Sequence, residues 1–132
     1  EVVAGLEATA ADLACRHITP GEFDAVASLH ARMLDAWRTG DDRLYFTLNR
    51  EIHEAIMRAS RNAVLQAIYA TLSGRIQRAR YTAHKTPEQW AKAVAEHDRM
   101  VELLRARDGA ALGALMRDHI RGKKPLIAAA YG

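Results

Sequence analysis

The sequence predicts an all-α protein, an antiparallel bundle of about six helices, and three observations carry that prediction. Apolar side chains recur every three to four residues in one segment after another, the spacing that gathers them on one face of a helix. Short polar breaks between those segments carry helix-capping residues. Nowhere do apolar and polar residues alternate as they would in a half-buried strand. The composition agrees: of 132 residues, 49% are hydrophobic, 27% charged and only 6% aromatic. A chain of this length makes one domain, residues 1–132, with one substantial core.

The first helix is expected over Glu1 to Arg16, with Val2, Leu6, Ala10, Leu13 and Ala14 on one side, and His17 to Thr19 breaks it. Thr19 then serves as N-cap, Pro20 fits the first helical position and Glu22 completes a capping box. The second helix runs to about Arg38, burying Phe23, Val26, Met33, Leu34 and Trp37, and ends at Thr39-Gly40. The third, from Asp41 to Ser60, buries Leu44, Leu48, Ile52, Ala55, Ile56 and Ala59. After a corner at Ser60-Arg61-Asn62, with Asn62 as cap, the fourth runs from Ala63 to about Tyr81 on Leu65, Ile68, Leu72, Ile76 and Ala79. Thr82 to Lys85 reads as a loop. Thr86-Pro87-Glu88-Gln89 is a capped start for a fifth helix to about Arg107, with Trp90, Ala93, Val94, Met100, Val101 and Leu104 inward. Asp108-Gly109 separates it from a sixth that begins near Ala110 and turns Leu112, Leu115 and Met116 inward. Gly122 and Pro125 weaken that last helix, and the tail Leu126 to Tyr131 is apolar enough to pack.

Polar residues interrupt three of the apolar arcs. In the third helix Asn49 and His53, at i and i+4, fill a gap in the buried arc between its main body and Phe46 and Met57. His97 lies near the centre of the fifth helix's arc and His119 near the centre of the sixth's. Burying an amide or an imidazole costs a few kcal/mol, on the order of 2, unless a partner is found. If the three imidazoles and the amide oxygen converge, they suit a first-row divalent metal. The alternative is a set of separate core histidines, each bonded to a carbonyl or carboxylate, and His30 sits in its own helix's arc in the same way. Periodicity leaves both open. His17 and His84 are expected in solvated loops, and Glu96, outside the buried arc, toward solvent.

Other classes are less well supported. A single cysteine, Cys15, excludes an internal disulfide, fits a reducing compartment and reads as a small buried hydrophobe. No apolar run approaches a membrane span and no signal peptide opens the chain, so a cytoplasmic protein is expected. The net charge of +3 is spread through every segment, with no basic stripe for nucleic acid. Neither H-E-x-x-H nor a bundle-facing Glu-x-x-His occurs, and no acid–base pair stands out, so the chain is not expected to be an enzyme.

Several phrases, in order, carry a resemblance. They are Leu6-Glu7 with Ala10-Ala11-Asp12-Leu13-Ala14, Leu48-Asn49-Arg50-Glu51-Ile52-His53, and Ser60-Arg61-Asn62-Ala63-Val64-Leu65. Glu96-His97, Arg107-Asp108-Gly109-Ala110-Ala111 and Met116-Arg117-Asp118-His119 complete the set. The chain resembles the FCD domain, the C-terminal effector-binding domain of FadR-type regulators in the GntR family. That resemblance implies an all-helical antiparallel bundle that takes a small carboxylate in its interior. It also implies a divalent metal held by an Asp, a His four residues later and two further histidines. By position these are Asn49, His53, His97 and His119. Asn stands where the pattern has Asp, which weakens that ligand and leaves the site one unit more positive, favouring an anionic effector. The winged helix-turn-helix of such regulators would precede Glu1.

The resulting expectation is a sensor domain with zinc or nickel held by Asn49, His53, His97 and His119. An organic acid completes the site, with Arg75 as a second carboxylate contact. A homodimer is expected, with DNA bound only through a separate N-terminal domain. Two alternatives are a metal-dependent enzyme acting on a small carboxylate and a metal-free member of the same family.

Overall fold

Side-chain caps set most of the helix starts. In the computed structural model, which describes residues 1–82 and 85–125, six helices follow one another: α1 (Val2–His17), α2 (Pro20–Thr39), α3 (Asp42–Ala59), α4 (Ala63–Thr82), α5 (Pro87–Ala106) and α6 (Gly109–Arg121). Thr19 and Thr86 each accept from the backbone N–H three residues on, and Glu22 and Gln89 reach back to close both capping boxes. Asp41, Asn62 and Asp108 cap α3, α4 and α6 through their side-chain oxygens. Gly40 ends α2 at φ 74°, where a side chain would be strained. Arg107 holds a similar φ of 56° after α5, and its guanidinium donates to the carbonyls of Cys15 and Ile18 at 3.1 and 2.6 Å. That corner is thereby pinned to the end of α1. No strand occurs among the described residues. The all-α bundle expected from the sequence is the observed fold.

The main core joins α1, α2, α3, α5 and α6 around Met33, Tyr45, Leu48, Leu104, Leu112 and Met116. A smaller cluster, Ala10, Met57, Leu65, Tyr69 and Ile76, attaches α4 to α1 and α3. Four expected core positions are in fact exposed: Val2, Trp37, Leu44 and Ile68. Trp37 and Leu44 flank the α2–α3 corner, at the ends of their helices. Ile68 faces out because, among the described residues, α4 packs chiefly on α1 and α3, away from this side. On α1 Ala10 and Ala14 are buried as expected, and Ala4, Glu7, Ala8, Ala11 and Cys15 join them. Alanines let α1 lie close against α6, where a Cβ on Gly113 would stand 3.1 Å from the Ala8 carbonyl oxygen. His17 belongs to the last turn of α1 and is exposed. Cys15 is buried, as expected. His84 and the tail Leu126 to Tyr131 lie outside the described residues. No described helix is long and apolar enough to cross a membrane.

Candidate metal centre

α3, α5 and α6 each turn one histidine into the same space. His53, His97 and His119 are 3%, 2% and 2% exposed. The ring centroids are 5.9 Å apart for His53 and His97, 6.0 Å for His53 and His119, and 4.7 Å for His97 and His119. One ring nitrogen from each lies within 4.8 Å of the others. Ligand nitrogens about 2.1 Å from an ion sit roughly 3 to 4 Å apart, so shifts of well under 2 Å would close the set. The sequence arcs placed these side chains inward; the structure also makes them meet.

Each imidazole has one nitrogen engaged. His53 Nδ1 pairs with Glu7 Oε2 at 2.9 Å, His97 Nδ1 with the Ala93 carbonyl at 2.7 Å, and His119 Nδ1 with Glu96 Oε2 at 2.5 Å. All three Nε2 atoms are buried with no hydrogen-bond partner, and so is Asn49 Oδ1, one turn before His53 on α3. An acceptor at Nδ1 fixes the proton there and leaves Nε2 with its lone pair, the arrangement a metal-binding histidine needs. His30 differs in position: its Nε2 meets Asp98 Oδ1 at 2.6 Å, and although its Nδ1 is also buried without a partner, its ring does not join the three that converge.

Burial keeps the imidazoles neutral. It pushes the His53 pKa down to about 4, with Arg80 adding to the effect and Glu7 opposing it. His97 and His119 fall well below the usual histidine value, first by burial and then by the charges of neighbouring groups, Lys123 among them. Burial works against ionisation of Glu7, yet interactions with His53 and Arg80 hold its carboxyl well below the usual range. Arg80 is the counter-charge we regard as decisive, because His53 is itself neutral.

Glu7 is the hub of a buried network that periodicity did not reveal. Its Oε1 accepts from the Tyr69 hydroxyl at 2.6 Å and from Arg80 Nη2 at 2.9 Å. A signal was present: Glu7 sits on the alanine face of α1 with Ala4 and Ala11, and Leu65, Tyr69, Ile76 and Arg80 share one arc of α4. Glu96, expected toward solvent, is 20% exposed at its side chain and is engaged with His119; one face of a helix edge reaches inward. Arg75 is exposed on α4. It lines a cavity of about 430 Å³ together with Ile76, Arg80, Ile120 and Lys123. Arg80 is the arginine that enters the interior, and its Nη1 is buried without a partner. Lys123 and Lys85 carry no sequence signal, since one follows the end of α6 and the other lies between α4 and α5.

Residues 1–122 match the family model of the FCD domain. No curated protein is significantly similar in sequence. Among solved structures, E. coli McbR/YncC has the same fold, with a TM-score of 0.86 at 19% identity over 99% of this chain and 63% of that one. The present chain therefore spans less than two thirds of that protein's length.

Proposed function

The chain belongs to the FCD domain family, and from that premise we propose that it is the ligand-sensing domain of a FadR-type regulator in the GntR family. On this reading it binds a small organic acid at a buried divalent metal, zinc or nickel, and passes the signal to a separate DNA-binding domain. The observation that carries it is the convergence of three buried histidines, each with an unpartnered Nε2, with the unpartnered amide oxygen of Asn49 one turn from His53 on α3. Each orphaned polar group costs about 1–3 kcal/mol, a burden a stable core has no reason to concentrate at one point unless something occupies it.

His53, His97 and His119 would hold the metal through Nε2, with Asn49 Oδ1 as a neutral fourth donor. The bound metal would supply a Lewis-acidic contact for a carboxylate. The chain's own residues prepare that site. Glu7, the Ala93 carbonyl and Glu96 fix the three rings, and burial keeps protons off their free nitrogens. The cavity beside Arg80 and Lys123, with Arg75 on its exposed side, offers an anion a cationic approach. Glu7 and Glu96, the carboxylates that touch the imidazoles, are both engaged in orienting them, which supports a sensor over a catalyst needing a free base. Two copies would pair, and Val64 and Ile68, 70% and 45% exposed one turn apart on α4, are side chains such pairing would cover. Acid binding would shift the balance between two arrangements of the pair and of the attached DNA-binding domains.

Elemental analysis of untagged protein tests the metal. About one divalent ion per chain is expected, and added zinc should raise Tm by mass action in the wild type but not in His53→Ala. No bound metal, with both proteins melting alike with and without zinc, would overturn the reading.

A further inference from the structure

Three basic side chains lie between the imidazole cluster and the aromatic residues at the start of α3, with too few carboxylates to match them. Arg80 donates to Glu7 through Nη2 and leaves Nη1 buried and unpartnered, its side chain 5% exposed. Lys123 lines the same cavity as Arg80 and makes no ion pair among the described residues. Lys85 is seated on aromatic faces, its Nζ 4.5 Å from the Trp90 ring centroid, 5.4 Å from that of Phe46 and 5.8 Å from that of Tyr45. The ammonium is favourably placed there, with no carboxylate in ion-pairing range among the described residues. Burial is the main force against the charged forms of both lysines, pushing the Lys85 pKa down to about 8 and that of Lys123 well below the usual lysine value. Arg80 adds to both shifts and Lys85 to that of Lys123, so each needs an anion to stay charged.

The nearby acids do not relieve this. Glu7 already serves His53, Tyr69 and Arg80, and Glu96 serves His119 with Lys92 at 3.7 Å. Asp42, which also acts on Lys85, stands at the exposed start of α3. Buried Arg80 and half-buried Lys85 and Lys123 thus face two engaged carboxylates, and a divalent ion would add further positive charge. Uncompensated buried charge is strongly unfavourable, so one carboxylate on the ligand would leave most of the excess standing. Along α3, Tyr45 Oη, Asn49 Oδ1 and His53 Nε2 recur one turn apart, all buried and unpartnered. They mark a path of about two helical turns from the aromatic seat of Lys85 to the imidazoles.

We infer that the interior takes a diacid, with one acid group at the imidazoles and the second among Arg80 Nη1, Lys85 and Lys123. This rests on the sensing function proposed above and narrows its ligand class. The two lysines are then specificity residues, selecting against acids that carry a single charge.

Calorimetry on the zinc-loaded chain decides the matter, using each diacid and its monoamide, which has the same shape and one charge fewer. Suitable pairs are malonate with malonamate, succinate with succinamate, glutarate with glutaramate and adipate with adipamate. At one chain length or more the diacid should bind at least tenfold tighter than its monoamide. Lys85→Met or Lys123→Met, which keeps the apolar stem and removes the charge, should shrink that ratio at least fivefold with zinc stoichiometry unchanged. Either variant suffices if the other does not fold. Monoamides that bind as tightly as diacids, or a ratio that survives the substitutions, would sink the diacid inference alone. If neither class binds at any length, the sensing function itself falls and takes this inference with it.

Discussion

Each imidazole of the cluster is oriented by a different kind of acceptor: a fully buried carboxylate, a backbone carbonyl and a partly exposed carboxylate. Both carboxylates orient a ring, but only Glu7 also neutralises a buried arginine. Glu96→Gln keeps an oxygen that can accept from His119 Nδ1 but removes its charge, so metal affinity should fall about 10- to 100-fold with the fold intact. Competition against a chromogenic zinc chelator reads this out, and an unchanged affinity would show that the charge of Glu96 does not tune the site. Glu7→Gln leaves the Arg80 guanidinium buried without its counter-charge, and urea unfolding should show a loss of about 3–5 kcal/mol. A loss below about 1 kcal/mol would mean that water reaches Arg80 freely. The histidines were legible because an imidazole at the centre of an apolar arc is anomalous. Glu7 and Arg80 were not, because a charged residue on a helix is ordinarily on the wet side, and only the pairing of α1 with α4 makes those two positions interior.

Helix ends were readable for a related reason. Capping is settled within three or four residues, so Thr19, Asn62 and Thr86 declared themselves without knowledge of the fold. Which arc of each helix is covered depends instead on neighbours distant in sequence, and there the reading of Val2 and Ile68 failed. The close approach of α1 to α6 is the clearest case, since the narrow buried strip of α1 is alanine while its larger side chains pack elsewhere. Gly113→Ala should cost about 1–3 kcal/mol, because its Cβ would press on the Ala8 carbonyl oxygen, which is backbone and yields only if a helix shifts. Gly74→Ala, exposed within α4 and meeting only the end of Arg78 at 3.6 Å, should stabilise by roughly 0.5–1 kcal/mol. The signs should therefore be opposite in urea titrations. Equal effects would mean that α1 and α6 are not held at this spacing.

At the scale of the whole molecule the cluster lies at the seam where α4, carried by its own small apolar cluster, meets the main bundle through Glu7. Folding must therefore take three imidazoles from water and keep them unprotonated, which couples stability to pH. In the unfolded chain these rings would titrate near pH 6.5, whereas in the folded chain His53 is pushed down to about 4 and His97 and His119 also lie well below the usual value. As pH falls below about 6.5 the unfolded state takes up protons first, so the contribution is complete above that pH and lost progressively toward pH 4. For His53 alone the loss is on the order of 3 kcal/mol at 1.36 kcal/mol per pKa unit. Glu7, also with a lowered pKa, acts in the same direction but at lower pH. Melting curves of the metal-free chain at pH 7.5, 6.0 and 5.0 should thus show a steady decline. With zinc present the decline should be steeper, because protons and metal compete for the same Nε2 atoms. Identical slopes with and without zinc would mean that the ion, if bound at all, is held by groups other than these rings.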